Sequence, residues 1–78
     1  MWYCGNIEID GLIFYYTAKV FEEDSKYGIN NGRVSKLEII FDSYGKREWQ
    51  AQYDREWVIK PTTIYAEKAV EYLLEMFD

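Results

Sequence analysis

The apolar residues of this chain change period once, near a single proline. Up to about residue 55 they alternate, and from about Thr63 they follow helical spacing. Alternation puts side chains on opposite faces of a strand, whereas spacings of three and four put them on one stripe of a helix. A chain that reads as strands and then one helix is left with few architectures.

The alternating part divides into hairpins. Residues 2–9 carry β-formers, with Ile7 and Ile9 on one face. Asp10-Gly11 follows, a two-residue turn signal, because both residues tolerate positive φ. Residues 12–21 make the strongest strand. Leu12, Phe14, Tyr16, Ala18 and Val20 share one face, and Ile13, Tyr15, Thr17, Lys19 and Phe21 share the other. Both faces are rich in apolar groups, so the strand is expected in the middle of a sheet or covered on both sides. Leu37, Ile39 and Phe41 alternate with Lys36, Glu38, Ile40 and Asp42 over residues 34–42. After the turn Ser43-Tyr44-Gly45-Lys46, Trp49, Ala51 and Tyr53 alternate with Glu48, Gln50, Gln52 and Asp54. Pro61 ends the sheet, since it cannot donate to a ladder.

From Thr63 to Met76 the stripe is Ala66, Ala69, Val70, Leu73, Met76 and Phe77. Glu67, Lys68, Glu71, Glu75 and Asp78 oppose it. Thr62 or Thr63 is the expected N-cap. The fold class read from this order is α+β. One domain, residues 1–78, holds an antiparallel sheet of about four strands and a C-terminal helix packed on one face. A small five-stranded barrel is the alternative if residues 26–33 add a strand.

Residues 22–33 form a long connection for so small a domain, which marks either a hairpin extension or a functional loop. Its Gly28-Ile29-Asn30-Asn31-Gly32-Arg33 segment leads into a strand rather than a helix, so it reads as tight turns and not as a phosphate cradle.

Composition narrows the function. With three Trp, eight Tyr and four Phe but no His and one Cys, the chain is rich in contact surface and poor in proton-transfer groups. No enzyme activity, cofactor or metal is expected from it. Cys4 has no intrachain partner. It reads as a small buried residue of the first strand, and a lone thiol fits a reducing cytoplasm. No basic leader or bilayer-spanning apolar run is present, so neither a signal peptide nor membrane association is expected. The net charge of −5 disfavours nucleic acid and anionic membranes and allows a basic protein partner, the alternative being that it only keeps the domain in solution.

Three features are candidate binding surfaces. Tyr53, Asp54, Arg55, Glu56 and Trp57 set two rings around three charges, a pattern suited to a small ligand or a single-stranded nucleic acid. The carboxylates of Glu22, Glu23 and Asp24, with Glu71, Glu75 and Asp78 at the helix end, make an acidic stripe. Its helix members sit where the macrodipole is already negative, an unfavourable placement of about 0.3–1 kcal/mol each. Finally, one helix covers only one sheet face. Ile13, Tyr15, Phe21 and Ile40 are left on the other, where an exposed apolar patch would mark a protein interface or a homodimer.

Two segments carry a family resemblance. Tyr27-Gly28-Ile29 with Gly32-Arg33-Val34-Ser35-Lys36-Leu37, and Tyr53-Asp54-Arg55-Glu56-Trp57 followed by Pro61, together with Trp2 and Gly5, resemble a family of short bacterial and phage proteins without an established activity. This chain departs from that pattern at Glu56, where the family often has Gly, and at Val58, where it has Asp. The resemblance implies a phage or mobile-element setting. The resemblance itself implies no activity; analogy with small acidic phage proteins points to an inhibitor of a host protein. The expected function is therefore a non-catalytic, acidic protein-interaction module, with ligand or nucleic-acid binding at the Tyr53–Trp57 cluster as the alternative.

Overall fold

The computed structural model describes residues 1–78. Five strands form one open antiparallel sheet in sequence order: β1 (Trp2–Ile9), β2 (Leu12–Val20), β3 (Val34–Ser43), β4 (Lys46–Asp54) and β5 (Trp57–Ile59). A single helix follows, α1 (Ile64–Phe77). The class is α+β as expected, with one strand more than the four read from the sequence. The extra strand is β5. It is three residues long, and both Val58 and Ile59 are exposed, so it carries no alternation to find. Residues 26–33 add no strand, and β1 and β5 remain edges rather than closing a barrel.

Two hairpins have matching turns. Asp10-Gly11 and Tyr44-Gly45 all have positive φ, as two-residue type I′ turns require. The first joins β1 to β2 with Ile9 opposite Leu12, and the second joins β3 to β4 with Ser43 opposite Lys46.

The helix lies against one face of the sheet. Thr63 caps it in extended conformation, its Oγ1 accepting the Ala66 N–H at 3.0 Å. Ala66, Ala69, Val70 and Leu73 are buried, and small alanines let the helix approach closely. Ala69, Val70 and Leu73 share one core with Ile7, Phe14, Ala18, Leu37, Ile39 and Ala51 from the sheet. At the helix end the ring of Phe77 lies 5.0 Å from that of Tyr3 and 6.0 Å from that of Tyr16. Met76, expected on the inner stripe, is half exposed. Phe77 packs against the core as expected, and Leu74 does so in place of Met76. At the other end, the Lys68 ammonium donates to Asp10 Oδ2 at 2.8 Å. That hydrogen bond, then the charge of Asp10, raises the Lys68 pKa above its ordinary value.

The connection from β2 to β3 is ordered by polar contacts. It contains one 3-10 turn, Ile29–Asn31, whose Ile29 side chain is buried in the core. The Tyr53 hydroxyl donates to the Tyr27 carbonyl at 2.9 Å, and the Arg33 N–H donates to Asp78 Oδ1 at 2.9 Å. The Asp78 carboxylate is therefore a loop acceptor. This accounts for one acid at a helix terminus that has no basic residue in its last turn.

Candidate functional site

The face of the sheet turned away from α1 is uncovered and carries exposed apolar side chains, among them Trp2, Ile13, Tyr15 and Trp49. It consists of rows of side chains running across the strands, fixed by the pairing register. Trp2, Lys19, Lys36 and Asp54 form the first row, and Cys4, Thr17, Glu38 and Gln52 the second. Asn6, Tyr15, Ile40 and Trp49 form the third. Beyond it Glu8 pairs with Ile13 and Asp42 with Arg47. The third row is thus the most apolar, Glu38 is the one charge in the two central rows, and the two ends carry charges of both signs.

Trp49 reaches this face through a bulge, contrary to the alternation that groups it with Ala51 and Tyr53. The type I′ turn sets the register from one end, placing Asp42 opposite Arg47 and Ile40 opposite Trp49. Burial of Ala51 and Tyr53 sets it from the other, placing Ile39 opposite Ala51 and Leu37 opposite Tyr53. The two registers differ by one residue. Gln50 absorbs the difference as an unpaired residue, and a one-residue slip turns the side chains before it to the other face. Trp49 is consequently 47 % exposed while Ala51 is fully buried.

Ile13, Tyr15 and Phe21 are exposed on this same side, as expected from the sequence, and Ile40 is half-buried between its neighbours. The Lys19 ammonium stands 5.9 Å from the Trp2 ring and 6.0 Å from the Phe21 ring. Cys4 is exposed here, not buried as its residue type suggests, because even-numbered positions of β1 face away from the helix. A shallow hollow of about 550 Å³ lies over β2, with Cys4, Asn6, Tyr15, Thr17 and Ile40 among its walls.

The Tyr53–Trp57 cluster is the β4–β5 turn. Tyr53 is buried, and the Trp57 ring meets it edge-on at 5.1 Å. Asp54 points to the other face, 3.8 Å from Lys36. Arg55 takes a positive φ of 64° and places its guanidinium 5.9 Å from the Tyr27 ring. Glu56 is exposed, and its carbonyl accepts the Asp54 N–H. Tyr53 and Trp57 pack on each other and Arg55 lies by Tyr27, which Tyr53 also contacts, whereas Asp54 turns to Lys36; none of the five lines either of the two hollows of the surface.

The acidic residues lie in two places. Glu22, Glu23 and Asp24 follow β2, with Glu22 beside Arg33 and Phe21 at a second shallow hollow. Glu71 and Glu75 are exposed on α1. The chain's two ion pairs, Lys36–Asp54 and Lys68–Asp10, involve none of these five. No group of three His, Cys, Asp or Glu side chains is arranged to hold a metal ion, and no helix is long and apolar enough to cross a membrane.

The chain belongs to the family described as a domain of unknown function (DUF7678), whose family model matches residues 1–78. No curated protein and no solved structure matches it.

Proposed function

We propose that this member of the family is a non-catalytic protein-interaction module of the cytoplasm, and that it docks through the helix-free face of its sheet. The observation that carries this reading is the row Tyr15–Ile40–Trp49, which spans three strands and leaves two large rings half in water. The bulge at Gln50 adds the second ring to the patch. Contiguous exposed apolar surface rimmed by polar groups is characteristic of interaction sites, and aromatic residues are enriched at their centres. The partner that fits is a protein surface with an apolar centre and charges of both signs at its rim.

A photo-reactive phenylalanine analogue placed at Tyr15 in the source cell tests this. Tyr72 on α1 is the control, since the two rings are 48 % and 50 % exposed. The expected result is protein adducts from position 15 and none from position 72. Equal adducts from both, or none from 15, would overturn the reading.

A second reading rests on the five acidic side chains without ion-pair partners. They support a basic protein as the ligand, in the manner of a phage inhibitor of a host protein. Reversing Glu23, Glu71 and Glu75 to lysine then weakens capture of that protein and flattens its salt dependence. Unchanged binding would remove the acidic surface from consideration.

A further inference from the structure

We infer that the partner of the helix-free face is a second copy of this chain, stacked face to face about a two-fold axis that runs across the strands. The inference rests on the docking face proposed above. An axis in that direction lays each strand over its own counterpart and reverses the order of the rows. The first row then meets the end of the face where Asp42 pairs with Arg47. Lys36 lies over Asp42 of the second copy, and Asp54 lies over Arg47. Symmetry makes each contact twice, so four opposite-charge pairs close the two ends of the interface.

The middle rows fit by size. The same axis sets Tyr15 over Thr17 and Trp49 over Gln52. Each ring meets a smaller side chain, as sheets interdigitating about 10 Å apart require. The hollow beside Thr17 gives the Tyr15 ring of the second copy room to enter. An axis along the strands does the reverse. It puts Lys19 over Lys36 of the second copy, a like-charge contact that complementary interfaces avoid.

Size and charge also set the strength. Four strands about 4.8 Å apart and four rows about 7 Å apart give a footprint of about 500 Å² per copy. That is below the ~800 Å² per partner of a standard interface. Glu38 comes to lie over Ile40 of the second copy, and its desolvation opposes association. The expected dissociation constant is on the order of 10–100 μM.

Sedimentation equilibrium of the full chain between about 5 and 500 μM, a range bracketing that constant, tests the arrangement. The wild type should pass from monomer to dimer. Lys36→Asp and Asp42→Lys should each weaken the dimer about tenfold or more, by setting like charges opposite each other. The double variant should return to within about threefold of wild type, because its pairs are restored with signs exchanged. Circular dichroism checks the fold of each variant; both positions lie on the outer face, and the Lys36–Asp54 pair within one copy is an exposed one of small energy. A wild type that stays monomeric throughout, or a double variant as weak as the singles, overturns the inference. A monomeric pure chain whose position 15 still forms adducts with a different protein removes the second copy while the docking face stands. A monomeric chain with position 15 silent removes both.

Discussion

Replacing Phe14 by alanine should remove a large share of the protein's stability at 25 °C. Phe14 is 2 % exposed, among the largest fully buried side chains, and its ring lies 5.4 Å from that of Phe41. It sits in β2, between β1 and β3 and under the helix, so its removal opens a cavity bounded by elements tied by backbone ladders. Phe-to-Ala changes at such sites are destabilising by about 3–5 kcal/mol. A domain of this size has about 4–12 kcal/mol in total, with no disulfide to support it. Urea unfolding followed by tryptophan fluorescence reads the loss as a fall in midpoint. Phe14→Leu, which keeps most of the volume, should lose far less. A Phe14→Ala variant within about 1 kcal/mol of wild type would mean that the core does not centre on β2.

Alanine at Gly28 should have an effect nearly as large, for a different reason. The backbone there is ordinary, with φ −78° and ψ 157°, so conformation alone permits any residue and would slightly favour alanine. Space does not permit it. A Cβ at this position would stand 2.0 Å from the carbonyl oxygen of Gly32 and 2.7 Å from its carbonyl carbon. Neither atom is free to move, because that carbonyl accepts the Ser25 N–H at 3.0 Å and the Gly32 N–H donates to Ile29 at 3.0 Å. Relief of the clash must open the loop. That withdraws Ile29 from the core and breaks the hydrogen bond from Tyr53 to Tyr27. A loss of about 2–4 kcal/mol is expected, in the range of core and network disruptions. Amide exchange should show Ser25 and Gly32 losing protection before the strands do. A neutral or stabilising substitution would contradict the close approach.

The loop explains why its sequence is hard to interpret. Gly28 and Gly32 look like two turn residues, and that reading is right as far as it goes. Neither glycine reveals that the segment between them is pinned by an internal isoleucine, a tyrosine 26 residues later and a carboxylate 45 residues from Arg33. Asp78 illustrates the same point. At a helix terminus it reads as an unfavourable charge, and only its contact with the Arg33 N–H gives it a structural task. The Tyr53–Trp57 cluster is the converse case. Its rings and charges are consecutive in the chain, but Asp54 alternates to the other face beside Lys36, and the turn at Arg55 packs the two rings on each other rather than around a ligand.

Interactions spanning two to four residues are written into the chain itself. They include the alternation that separates Phe14 from Tyr15, the Asp10-Gly11 turn, the Thr63 cap and the stripe from Ala66 to Leu73. Each depends on near neighbours, so the hairpins, the helix and the uncovered face on β2 could all be read in advance. The side on which Trp49 emerges could not. Turn geometry at Tyr44-Gly45 and burial of Ala51 and Tyr53 impose registers one residue apart on the same strand pair. Their conflict exists only once β3 and β4 are paired and packed under the helix, and the Gln50 bulge that resolves it sets the Trp49 ring in the same row as Tyr15 on the uncovered face.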